Sequence, residues 1–91
     1  MNESILLKES KWTYIGKFSS GQTVTNYSDY SEIKFTALTS GYAGSVSEFK
    51  KSDLVSAGIT YVQNINSASN CTLNISTGVV VGNDGIFWGI K

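Results

Sequence analysis

Hydrophobic and polar residues alternate along several short stretches of the chain, and the clearest alternation covers residues 31–39. Ile33, Phe35 and Ala37 fall on one side of this stretch, while the residues between them are polar or charged. An antiparallel strand with one buried and one solvated face has this period of two. The stretch therefore predicts a half-buried β-strand.

The same pattern, with turn residues between the segments, predicts further strands before and after this one. Val46 and Phe49 are expected to face inward from one of them. The other predicted strands cover residues 11–18, 22–26, 59–65, 70–76, 77–81 and 86–90.

Turn and cap residues predict the connections. The sequence Gly-Asn-Asp-Gly at residues 82–85 has the residues that a tight hairpin with positive φ requires. A loop or bulge is expected where Gly41 and Gly44 flank Tyr42. Ser52 is expected to cap a single helical turn.

Seven or eight short strands without helical periodicity predict an all-β fold, namely an antiparallel β-sandwich of jelly-roll-like form. Ninety-one residues are enough for one domain. We expect a single β-sandwich domain over residues 11–91. Residues 1–10 combine mixed charge with one short apolar cluster, and we expect an N-terminal arm or linker there.

The composition argues against several classes of partner. Seven lysines balance seven acidic residues, and the chain has no arginine, so no basic stripe is expected to follow a nucleic-acid backbone. No apolar stretch approaches the roughly 20 residues of a membrane helix, and no signal peptide is recognisable. We therefore expect a protein made in a cytoplasm, with no nucleic-acid partner and no membrane insertion.

The residues that most often perform catalysis or bind metal are scarce. The chain has no histidine, and its acidic residues show no spacing that pairs two of them across a substrate. Cys71 lies on the same side of its strand as Leu73 and Ile75, which predicts a small buried side chain rather than a nucleophile. We expect no catalytic residue, no metal site and no cofactor.

Aromatic residues are the one class with binding potential. Those in predicted strands, including Trp12, Tyr14 and Trp88, are expected to pack in a core or a subunit interface. The other candidates are tyrosines in predicted loops beside Asn, Ser, Gly and Asp, as in contact surfaces of the paratope type. These are the predicted ligand-binding residues, with simple loop packing as the alternative: Tyr27, Tyr30 and Tyr42.

The order of several segments resembles the small C-terminal β-sandwich modules of bacteriophage and prophage tail or fibre proteins. WTYIG at residues 12–16 is followed by YSEIKF at residues 30–35 and SVSEFKKSDL at residues 45–54. A glycine-flanked turn and an aromatic final strand complete the pattern. The resemblance covers residues 11–91.

The resemblance implies a virion module made in the host cytoplasm, usually trimeric. Its partners would be a host cell-surface saccharide or protein, or other virion proteins. It carries over no fixed binding residues. Two alternatives remain: a carbohydrate-binding accessory β-sandwich of a cellular or secreted protein, and a catalytic domain, which the missing residue types disfavour.

Overall fold

A computed structural model describes residues 11–38 and 45–91. The loop expected around Tyr42 and the arm expected over residues 1–10 lie outside the described residues. The elements in chain order are β1 (Thr13–Phe18), a 3-10 helix (Tyr27–Asp29), β2 (Glu32–Ala37), β3 (Ser47–Lys50), α1 (Lys51–Ser56), β4 (Tyr61–Asn66), β5 (Ser69–Asn74), β6 (Val80–Gly82) and β7 (Gly85–Ile90).

The strands form two antiparallel sheets, which confirms the predicted all-β sandwich. The first sheet has the order β1-β7-β2-β3, so the last strand in the chain lies between the first two. The second sheet is a meander with the order β4-β5-β6. Backbone hydrogen bonds from Gly21 and Val24 to Val80 and Gly78 extend its β6 edge.

The core between the sheets is built from the inward side of each alternating strand. Ile33, Phe35 and Ala37 of β2 are fully buried, as the alternation predicts. Phe35 lies opposite Phe87 in the β2–β7 register, and their rings stack with centroids 4.9 Å apart. This stacked pair lies on the face of the first sheet that is turned towards the core.

Two buried asparagines connect the sheets through one residue of β2. Asn64 Oδ1 accepts a hydrogen bond from the Ala37 backbone N–H at 2.7 Å, and Asn66 Nδ2 donates to the Ala37 carbonyl at 2.8 Å. Asn64 Nδ2 also donates to the Ser45 carbonyl and to Ser47 Oγ. Both polar groups of Ala37 are thereby satisfied by β4 rather than by a neighbouring strand of the first sheet.

The predicted hairpin at residues 82–85 is wrong. Gly82 ends β6 in one sheet and Gly85 begins β7 in the other, so the segment crosses between sheets. Asn83 attaches the beginning of this segment to β5. The Asn83 backbone N–H donates to the Asn70 carbonyl, and Asn83 Oδ1 accepts from the Asn70 N–H. A connection between two sheets therefore uses the same residue types, Gly, Asn and Asp, as a tight hairpin.

Three smaller predictions are also corrected. Residues 22–26 do not form the predicted strand; a single antiparallel bridge pairs Thr23 with Val79. Val46 is exposed, whereas Phe49 is buried as predicted. Lys50, not Ser52, occupies the N-cap position of α1, because the helix begins directly where β3 ends.

Candidate functional site

Aromatic side chains collect on the solvent side of the first sheet. Because Phe87 points inward from β7, its neighbour Trp88 points outward. Tyr14 and Lys34 are the register partners of Trp88 on β1 and β2. Trp12, just before β1, joins them, and we call Trp12, Tyr14, Lys34 and Trp88 the aromatic face.

A lysine organises this face. Lys34 Nζ lies 4.6 Å from the centroid of the Trp12 ring and 5.2 Å from that of Trp88. The Tyr14 ring meets Trp88 edge to face at 5.9 Å. An ammonium held between two indole rings limits their movement through cation–π attraction. The rings are thus positioned before any ligand arrives, while Tyr14 remains 59% exposed.

The outward position of Tyr14 depends on a bulge in β1. Tyr14 pairs with Trp88, but the next pair along the strands is Gly16 with Phe87, so Ile15 has no register partner. The extra residue reverses the alternation, and Gly16 rather than Tyr14 continues on the inward side with Phe18. The sequence predicts a core or a subunit-interface position for Tyr14; the structure excludes the core, and the interface stays a prediction. The glycine inside the strand is the sequence signal for the bulge.

Two of the three predicted ligand-binding tyrosines are buried. Tyr27 and Tyr30 are each only 7% exposed and belong to the core. Tyr42 lies outside the described residues. Their ligand-binding role stays a prediction, and the burial of Tyr27 and Tyr30 agrees with the alternative of simple packing.

Two glycines explain this burial. The rings pack against backbone that lacks side chains: a Cβ on Gly78 would overlap Tyr27, and a Cβ on Gly89 would overlap Tyr30. The Tyr27 hydroxyl donates a buried hydrogen bond to the Ile75 carbonyl at 2.7 Å. Burial raises the pKa of Tyr27 well above its usual value. Both rings therefore fill space that the opposite strands leave open.

Tyr30 and its neighbours nevertheless line an open cleft of about 320 Å³, which we call the lysine cleft. Its walls come from the 3-10 helix, the start of α1 and the ends of the first sheet. The lining residues are Ser28, Asp29, Tyr30, Ser31, Lys51, Ser52 and Lys91.

Lys51 is fixed at one wall of the lysine cleft. Its Nζ donates a 2.8 Å hydrogen bond to the Tyr27 carbonyl and lies 4.1 Å from the centroid of the Tyr27 ring. Burial lowers the pKa of Lys51, and the negative charge of Asp29 partly opposes that change. Lys91 also lines the cleft, and its Nζ lies 5.9 Å from the Tyr30 ring centroid.

Cys71 is fully buried, as its position in the alternation predicts. Desolvation, with a smaller contribution from Asp84, raises the pKa of the thiol to about 11. A thiolate is therefore disfavoured at neutral pH.

Among the described residues, no group of three or more His, Cys, Asp or Glu side chains lies close enough to hold a metal ion. No helix in that same part of the chain is long and apolar enough to cross a membrane.

Comparison with protein-family models finds no match, and neither does comparison with curated proteins or with solved structures. The resemblance to phage tail and fibre modules therefore stays a prediction from the sequence.

Proposed function

We propose that this chain is a non-enzymatic binding module that contacts a saccharide through the aromatic face. The observation that carries the proposal is the gathering of Trp12, Tyr14 and Trp88 around Lys34 on the solvent side of a sheet. Aromatic rings present an apolar surface that can pack on the C–H face of a sugar, and the Tyr hydroxyl and Trp N–H remain polar. Rings already held in place lose little conformational entropy on binding.

The proposed setting is the tip of a phage or prophage tail or fibre, with the ligand on the host cell surface. The support for this setting is the sequence resemblance over residues 11–91. A protein receptor, virion assembly and an accessory module of a cellular or secreted protein are the competing roles. Tail or baseplate genes beside the coding sequence would support the setting, whereas hydrolase or secretion genes would favour the accessory module.

The test compares two exposed tyrosines on different sheets. Tyr14 is 59% exposed on the aromatic face, and Tyr61 is 56% exposed on the second sheet. After a glycan array identifies a ligand, Tyr14→Ala should weaken its binding by roughly tenfold, or about 1.4 kcal/mol. Tyr61→Ala should bind as the wild type does.

Intrinsic fluorescence reports where the ligand binds. Both tryptophans of the chain belong to the aromatic face, so a bound saccharide should change their emission during a titration. Equal binding by Tyr14→Ala and the wild type, with unchanged emission, would contradict the proposal. Thermal melts of both variants ensure that a loss of affinity is not a loss of fold.

A further inference from the structure

The lysine cleft combines groups of opposite charge in a way that suits one class of ligand. Lys51 and Lys91 supply two positive charges, and Asp29 supplies one negative charge, so the side chains that line the cleft carry a formal net charge of +1. Ser28, Ser31 and Ser52 line the cleft beside these charged residues. A volume of about 320 Å³ lies at the lower end of the range for small-molecule sites, which begins at about 300 Å³.

The Lys51 ammonium is held by a hydrogen bond, and the Lys91 ammonium lies near a tyrosine ring. Lys51 uses one of its three N–H donors on the Tyr27 carbonyl, and two remain for a ligand. Lys91 approaches the ring of Tyr30. Ser31 Oγ lies 3.1 Å from the carbonyl oxygens of both Ile90 and Lys91, and its single O–H is shared between them, which fastens the end of β7 beside the cleft. The Lys51 backbone N–H donates to the Ser31 carbonyl at 2.9 Å, so hydrogen bonds through Ser31 join the two segments that carry the lysines.

Asp29 decides between two kinds of anion. A compact polyanion such as inorganic phosphate would meet the carboxylate with repulsion and offer it few protons. A carboxylated sugar has hydroxyl groups that donate to a carboxylate, and a single acidic group that pairs with lysine. The mixed lining thus matches a ligand that carries one negative charge among hydroxyls.

We propose that the lysine cleft binds the carboxylated residue of an acidic saccharide, with Lys51 and Lys91 on the carboxylate and Asp29 on the sugar hydroxyls. This inference rests on the proposed function for the saccharide class, but it concerns a separate site. Ser31 precedes Lys34 of the aromatic face by three residues, a distance of about 10 Å along an extended strand.

The experiment uses two probes that differ in one group. Methyl β-D-glucuronide and methyl β-D-glucoside are titrated into ¹⁵N-labelled protein and followed by NMR. The glucuronide should shift the amide signals of residues 28–31 and 51–52, and the glucoside should leave them unchanged. Equal shifts with both probes, or none with either, would overturn the proposal.

Charge variants localise the binding. Lys91→Met and Lys51→Met should each weaken glucuronide binding at least tenfold, and Lys17→Met serves as the matched control because Lys17 lies at the opposite end of the sheet. Lys91→Met decides the matter if Lys51→Met fails to fold. Glucuronide binding that survives Lys91→Met in the folded protein would overturn the assignment.

Asp29→Ala separates a saccharide site from a general anion site. It should weaken glucuronide binding several-fold and strengthen the binding of inorganic phosphate, because it removes both a hydroxyl acceptor and a negative charge. Weaker phosphate binding, or unchanged affinity for both probes, would contradict the proposal. If the cleft binds glucuronide but Tyr14→Ala does not weaken the binding of the array ligand, only the aromatic face is rejected. If Tyr14→Ala weakens that binding but the cleft does not bind glucuronide, only the cleft is rejected.

Discussion

Tyr27 has three separate roles at the level of a single residue. Its hydroxyl donates to the Ile75 carbonyl, its ring covers the space above Gly78, and the same ring lies under Lys51 Nζ. The 3-10 helix is therefore attached to the residues that follow β5 by a buried hydrogen bond and by packing. A change at Tyr27 should therefore affect the stability of the fold before it affects any surface contact.

Removal of the Tyr27 side chain should destabilise the fold, whereas removal of an exposed loop tyrosine would change stability little. Tyr27→Phe should cost about 1–2 kcal/mol, because the buried Ile75 carbonyl loses its partner. Tyr27→Ala should cost about 3–5 kcal/mol through the cavity that it leaves. Urea denaturation measures both changes, with exposed Tyr61→Ala as control. Midpoints equal to that of the wild type would refute the packing described here.

Cys71 makes stability depend on pH in the alkaline range. The pKa of its thiol is raised from 9.0 to about 11 in the folded protein. Between these values the unfolded chain releases a proton that the folded chain retains, so raising the pH favours unfolding. The free energy of unfolding should fall by up to about 1.4 kcal/mol per pH unit from this group.

Comparison with Cys71→Ala isolates the thiol. The variant loses packing equally at every pH, but its stability should fall less steeply than that of the wild type from pH 9 to 11. Urea midpoints at several pH values give the two slopes. Parallel slopes, or rapid reaction of the native protein with a water-soluble thiol reagent, would contradict the burial of Cys71.

At the scale of the strands, β4 is joined to β2 by amides rather than by apolar packing alone. Asn64 and Asn66 satisfy both backbone groups of Ala37 from the opposite sheet. Each is buried on the inward side of β4, where a hydrophobic residue would be usual. Buried amides tolerate this position only because their partners are in place.

Asn64→Leu should therefore destabilise the fold although it makes the strand more hydrophobic. It leaves the Ala37 N–H without its acceptor and removes a donor from the Ser45 carbonyl, at a cost of about 2–4 kcal/mol. Hydrogen exchange at the Ala37 amide should accelerate. Gln63→Leu, on the outward side of the same strand, provides the control. A stabilised Asn64→Leu protein would show that packing outweighs these hydrogen bonds.

The sequence predicts an element well where its structure depends on residues that are close in the chain. The alternation of β2 and the burial of Cys71 follow from neighbours two residues apart, and both are confirmed. The Ile15 bulge and the crossing at residues 82–85 depend on pairing with distant strands. Tyr27 and Tyr30 are buried because Gly78 and Gly89 lie opposite them, some fifty residues later in the chain. No local pattern contains that information, so the candidate sites were harder to predict than the sheets.

At the scale of the whole molecule, the second sheet presents apolar side chains outward. Ile65 and Val81 are 60% and 48% exposed. The chain has a formal net charge of zero, so long-range repulsion between copies is weak. We expect self-association through this sheet, and a trimer is the form that the sequence resemblance implies.

Light scattering at tens of micromolar tests the assembly. The wild type should give the mass of an oligomer, and Ile65→Lys should give a monomer with a nearly unchanged melting temperature, because the side chain projects from the outer face. Lys17→Met, on the other sheet, should leave the mass unchanged. A wild-type monomer at that concentration would contradict the expected oligomer.

The order of strands in the first sheet also sets the course of folding. β7 lies between β1 and β2, yet it is synthesised about fifty residues after β2. Until β7 arrives, β1 has no partner in its sheet, and Phe35 has no ring to stack on. Contacts this distant in sequence slow the search for the native state. A nascent chain on the ribosome would thus keep β1 and β2 apart until residues 85–90 emerge, and the sandwich would close only as the final strand inserts.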